Sequence, residues 1–290
     1  MPARFLLAYL LLATFWAGGT LGELELGTHA LDLSCLEAPT LFGALADLTH
    51  VELLRHWPGA LFRAANALVG PDTDGRYHRG YALASLVGAV ALPLALSWLL
   101  GARRLSELGL RRPSAAAWPI LGVAIACAAP LSLGMAFTPV FREALAMRLA
   151  GSPWYLAAVV VGGGAEHVFF HGVLLAWLHP SGRFPVSPQL GAPLVLPGAR
   201  LGAGRARWRD ALASLAIPRD CVLPCVLSAP LFFAIHAGTT GSELLLSVPA
   251  GFVFAWLAYR TNGAIVPALV HLAVSLVAAL VVGPVVLLHG

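Results

Sequence analysis

Seven stretches of this chain are apolar over roughly the length that crosses a bilayer. A spanning helix needs about 20 largely apolar residues. Phe5–Leu21, Tyr81–Leu100, Trp118–Phe137, Trp154–Leu178, Cys221–Ile235, Leu244–Tyr259 and Ala264–Leu288 reach or approach that length. The fifth and sixth are short, which implies tilt, extension at their ends or a partly re-entrant path. Composition agrees: 59% of the 290 residues are hydrophobic and only 11% charged. A soluble domain carries about a quarter charged residues, so this chain lacks the polar surface to coat a globule in water. The pattern predicts an all-α, polytopic transmembrane helix bundle of about seven spans, with the lipid bilayer as its main partner and no nucleic acid.

The arginines orient the bundle. All 18 basic residues are Arg. With the N-terminus in the cytoplasm, Arg4, Arg103, Arg104, Arg111, Arg112, Arg260 and six residues between Arg183 and Arg219 lie inside. Arg55, Arg63, Arg76, Arg79, Arg142 and Arg148 lie outside, with most of the acids. Excess Arg in cytoplasmic segments is the positive-inside pattern, and it leaves the C-terminus outside.

Residues 1–22 read as an uncleaved anchor, because Gly-Gly-Thr-Leu-Gly lacks a small-x-small cleavage signature. Residues 23–80 read as an outer-face loop. Within it Thr40–Val69 carries Leu41, Leu45, Leu48 and Leu54 near helical spacing, as an interfacial amphipathic helix does. Residues 81–290 form the core, interrupted at 179–220 by a Pro-, Gly- and Arg-rich cytoplasmic loop. No internal repeat and no soluble domain is evident. Cys35, Cys127, Cys221 and Cys225 form no paired framework, and Cys221-x-x-x-Cys225 is one helical turn that fits plain packing. His29, His50, His56, His78, His179 and His289 fall in loops or at ends and attract no functional reading.

Ionisable groups at membrane depth are costly and mark function. Here they cluster in three spans: Glu166, His167 and His171 in the fourth, His236 ending the fifth, His271 and Ser275 in the seventh. At about 100° per residue, His167 and His171 share a helix face, as do His271 and Ser275, while Glu166 points about 100° away from His167. A carboxylate with imidazoles from other helices is a general-base arrangement. Gly162-Gly163-Gly164, just before Glu166, permits close helix approach. A second reading makes His167 and His171 a zinc pair completed by His236 or His271, although the chain lacks the Glu of a His-Glu-x-x-His site. Transport is disfavoured, since no duplicated half or paired broken helices occur.

These segments resemble the motifs of the CPBP family of CAAX proteases and bacteriocin-processing enzymes, a group of glutamic-type intramembrane proteases. The family pattern Glu-Glu-x-x-x-Arg, Phe-x-x-x-His, His-x-x-x-Asn reads here as Glu166-His167-x-x-x-His171, Phe232-x-x-x-His236 and His271-x-x-x-Ser275. Phe169-Phe170-His171-Gly172 and Tyr259-Arg260-Thr261-Asn262-Gly263-Ala264-Ile265 share the family's texture, and the likeness covers about residues 100–280. The resemblance implies a peptidase without a cofactor, in which Glu166 activates water with His236 as partner, and His271 with Ser275 stabilises the oxyanion. His replaces both halves of the Glu–Arg pair, and a His167–His171 hydrogen bond is the expected substitute. Ser275, shorter than Asn, leaves the oxyanion role most altered. The chain is also similar to the family's myxosortase-like members. That likeness implies a bacterial inner-membrane enzyme acting on a membrane-anchored protein, with the C-terminal sorting signal of an exported protein as substrate. An inactive relative serving as membrane chaperone, immunity factor or binding protein is the non-enzymatic alternative.

Overall fold

The computed structural model describes residues 64–70, 78–102, 104–136, 138–139, 153–185, 216, 218–236 and 241–289. Among these the only regular structure is helical, and six long helices match six of the seven expected spans. α1 is His78–Leu99 and α2 is Ala117–Ala136. α3 begins as Pro153–Val168, continues through a π-helical stretch at Phe169–Leu174 and closes as Leu175–Leu178. α4 is Arg219–Ile235, α5 is Gly241–Arg260 and α6 is Ile265–His289. The expected anchor at 1–22, nearly all of the amphipathic helix and most of the 179–220 loop lie outside the described residues; 64–69 at the end of that expected helix is helical.

Two helices, His78–Leu99 and Leu156–Leu178, combine the length and hydropathy (2.0 and 1.5) needed to cross a membrane. Ala117–Leu131, Leu245–Arg260 and Ile265–Leu280 are shorter apolar stretches. The bundle is apolar outside as well as inside: Trp98, Leu131, Leu245 and Leu280 are 63–74% exposed. Such a surface is stable against lipid and not against water. Two helices long and apolar enough to cross a bilayer, together with the apolar exterior, fit a membrane protein.

Prolines mark where the helices deviate. Pro93 has no N–H to close the preceding turn, and the π-helical stretch Leu86–Ala91 lies just before it. Helix breakers of this kind persist in spans because neighbours and side chains re-satisfy the freed groups. Separately, the Ser97 hydroxyl donates to the Pro93 carbonyl at 2.7 Å and accepts from Trp177 Nε1 at 3.0 Å, tying α1 to α3.

The α5–α6 connection is a tight Schellman turn. Asn262 adopts φ 59°, its N–H faces the Tyr259 carbonyl at 3.4 Å, and the Gly263 N–H donates to the Ala258 carbonyl at 2.8 Å. Ala264 N–H then reaches the Gly109 carbonyl at 2.9 Å, which binds the turn to the segment before α2. This fixes the starting point of α6, and hence the height of His271 in the bundle.

α4 and α5 pack tightly at Gly251, where an added Cβ would lie 2.9 Å from Phe232 Cβ and 3.0 Å from Ala229 Cα. Gly251→Ala is therefore expected to destabilise the protein by the ~1–3 kcal/mol typical of overpacking. Gly122→Ala, with no atom within 4 Å of its new methyl, should be neutral or slightly stabilising. Thermal unfolding in detergent of both variants beside the wild type checks the difference.

Candidate active site

Three helices bring their polar residues to one point. α3 supplies His167 and His171, both fully buried, with Glu166 half-buried one residue earlier. α6 supplies His271, and His167 Nε2 lies 2.8 Å from His271 Nδ1. These residues are 104 positions apart in the chain, so only the tertiary fold creates this bond. Gly163 faces the His271 ring, which a Cβ there would meet at 4.0 Å, an ordinary van der Waals contact. Gly162 serves a different neighbour, with the Tyr81 ring of α1 in the space a side chain would take, and Gly164 faces open space.

α4 supplies Phe232 and, at its end, His236. The His236 ring packs on Phe232 with centroids 4.6 Å apart. Its Nδ1 lies 2.8 Å from the Phe232 carbonyl. A carbonyl only accepts, so Nδ1 carries the proton and donates. In the neutral ring Nε2 is then the nitrogen with the lone pair. Ser275 lies one turn beyond His271 on α6 and is half-buried.

α5 contributes an aromatic wall that sequence reading did not single out. Phe254 lies 4.8 Å from His167 edge-on, 5.6 Å from His171, 6.1 Å from Phe232 and 5.8 Å from His271, the last nearly parallel at 21°. Phe170 completes the enclosure at 5.5 Å from Phe232. Edge-to-face and offset contacts at such distances are favourable, and they hold the imidazoles in fixed orientations. Nothing in the local sequence around Phe254 marks it, because one aromatic in an apolar helix looks like ordinary core.

The expected His167–His171 hydrogen bond does not form. The two rings lie 4.6 Å apart, tilted by 30°, and His167 spends its Nε2 on His271. His171 approaches the Gly251 backbone without a well-aligned hydrogen bond. The π-helical stretch begins at Phe169, between the two histidines. It breaks the regular four-residue register that the expectation assumed. Among the described residues, the group of three metal-type donors that does converge is His179, Asp220 and Cys221, not the His167, His171 and His236 of the zinc reading.

A helical membrane bundle with buried histidines gathered from three helices thus defines a class: a membrane protein with a polar site enclosed within its helices. Residues 148–277 match the family model described as Rce1-like: Type II CAAX prenyl endopeptidase Rce1-like. Over those residues the chain is similar to the CAAX protease family, and all six motif residues from Glu166 to Ser275 fall within the match. No curated protein and no solved structure matches the chain.

The His167–His271 bond has a measurable strength. A double-mutant cycle on folding stability with His167→Ala, His271→Ala and the double variant should give a coupling of about 1 kcal/mol, the usual net value of such a bond. Additive effects would mean that the two rings do not share it. The same cycle between His236 and His271 is expected to give a smaller coupling.

Proposed function

We propose that the protein is an intramembrane endopeptidase of the glutamic type, hydrolysing a peptide bond near the membrane in a membrane-anchored protein. The observation that carries this reading is the convergence of the three motif-bearing helices, with His167 bonded to His271 and the Phe232–His236 pair on the same aromatic wall.

In the proposed mechanism Glu166 takes a proton from water as the water oxygen attacks the scissile carbonyl carbon. His236 positions that water through the Nε2 lone pair left by its Nδ1–H bond to the Phe232 carbonyl. The carbonyl oxygen becomes an oxyanion, which needs donors in a water-poor setting. If His167 Nε2–H donates to His271 Nδ1, His271 holds its own proton on Nε2 and offers it there. His167 thus acts as a positioning residue, and Ser275 supplies the second donor. Collapse of the intermediate breaks the C–N bond, and the proton held by Glu166 passes to the departing amine. Carboxylate, imidazole and hydroxyl supply every proton and donor in this scheme, so no cofactor is assigned.

The substrate class we favour is the C-terminal sorting signal of an exported bacterial protein, a short apolar helix followed by basic residues. Positive-inside orientation supports it. With the N-terminus in the cytoplasm of an inner-membrane protein, α3 enters from the outer side and α4 ends there. Glu166 and His236 then open toward the face from which an exported protein arrives.

Two experiments test these assignments. Glu166→Gln keeps size and hydrogen bonding but removes the proton acceptor, so the chemical step should fall by about 10²–10⁴. His236→Ala should be comparably severe, and Ser275→Asn should leave activity intact or raise it. Accumulation of uncleaved precursor at matched protein levels reads all three. Wild-type processing by Glu166→Gln would refute the glutamate mechanism. Separately, reporter fusions near residue 200 should report cytoplasm, and fusions near residue 60 should report the outer side. The reverse pattern would remove the case for exported substrates while leaving the chemistry standing.

A further inference from the structure

A second group of chemically active side chains lies away from the histidine nest, where α3 ends and α4 begins. His179 follows α3, while Asp220 and Cys221 lie in the first turn of α4. His179 and Cys221 are buried, Asp220 is half exposed, and Cys221 is a free thiol. His179 Nε2 lies 3.1 Å from Asp220 Oδ2. The donor atoms of all three residues lie within 4.8 Å of one another. On the far side of the ring, His179 Nδ1 is 2.8 Å from Ser181 Oγ. The Ser181 backbone N–H also donates to Nδ1 at 3.3 Å, so in the metal-free protein Nδ1 is the acceptor nitrogen and Nε2–H donates to Asp220 Oδ2.

We propose that His179, Asp220 and Cys221 form a binding site for a divalent transition metal, of which zinc fits best. Imidazole, carboxylate and thiolate together are a borderline-soft donor set that suits zinc and not the all-oxygen preference of magnesium or calcium. Tetrahedral zinc with ligands at ~2.0–2.3 Å sets its donors about 3.3–3.8 Å apart. The 3.1 Å His179–Asp220 separation needs only a small opening to admit the ion. Ser181 supplies the partner that metal-bound histidines use on their other nitrogen. Loading moves the His179 ring proton from Nε2 to Nδ1, where Ser181 Oγ accepts it, and releases the Cys221 thiol proton to solvent. The exposed side of Asp220 leaves the fourth position to water.

The site is distinct from the proposed catalytic centre. His179 lies twelve positions after His167, at the far end of α3. Its ligands come from the two elements that carry the first and second motifs. A bound ion therefore ties the end of α3 to the start of α4 and fixes the register of one against the other. That action is structural, so the site stands or falls independently of the peptidase reading.

The test uses the full chain in detergent, purified with a tag that contains no histidine, stripped with chelator, desalted and reloaded with zinc. The wild type should retain about one zinc per chain and unfold at a higher temperature than the stripped protein. His179→Gln and Cys221→Ser should each weaken zinc binding at least about 10-fold, the lower end of what even a supporting partner is worth, while His236→Ala should leave it unchanged. Cobalt in place of zinc should give a thiolate-to-metal charge-transfer band. That band should persist when Cys35, Cys127 and Cys225 are all replaced by Ser, which keeps the test valid if the Cys221 variant fails to fold. No retained zinc in the wild type, or no thiolate band with cobalt, overturns the proposal. So does zinc binding that survives both ligand substitutions, or that depends on His236 rather than His179.

Discussion

The 2.8 Å bond between His167 and His271 organises this molecule. It joins the central helix to the last one inside a bundle that is apolar on both surfaces, where an unpaired imidazole is expensive. Much of the surrounding architecture can be understood as what lets those two rings meet. The Asn262 turn sets the height at which α6 begins, and Phe254 stacks on His271 while standing edge-on to His167. Gly251 lets α5 approach α4 closely enough for Phe254 and Phe232 to close around the same rings.

The bond also bears on how a site that departs from the family motif can work. The motif's second Glu and its Arg are a charged pair one turn apart, and both are histidine here. An ion pair buried in hydrocarbon carries a large desolvation penalty unless it is fully hydrogen-bonded. Imidazoles replace it with groups that need no net charge. His167 directs its hydrogen bond to another helix instead of back along its own. The exchange removes charge from the core and adds a tertiary link between α3 and α6.

The membrane class and the helices were legible because hydrocarbon imposes a length and a composition that few other segments satisfy. Each described helix overlaps the apolar stretch expected for it, including the short Cys221–Ile235 stretch, which begins two residues earlier as α4. The gathering of His167, His171, His236 and His271 was legible because polar groups in spans are rare. What the sequence hid is what depends on tertiary geometry. The π-helical stretch at Phe169–Leu174 alters the angular relation between His167 and His171, so the four-residue spacing named the wrong partner. Phe254 has no local signature. His179 and Asp220 were passed over because one lies just after a span and the other at the start of one. The fold brings them together from 41 positions apart.

His167 and His271 share one proton across the α3–α6 contact, and nuclear magnetic resonance can observe that directly. In protein with nitrogen-15-labelled histidines reconstituted in bilayers, one nitrogen of His167 and one of His271 should show a through-hydrogen-bond coupling. His236 should show its proton on Nδ1. A coupling of His167 to His171 instead, or no coupling between His167 and His271, would contradict the arrangement on which the proposed chemistry depends.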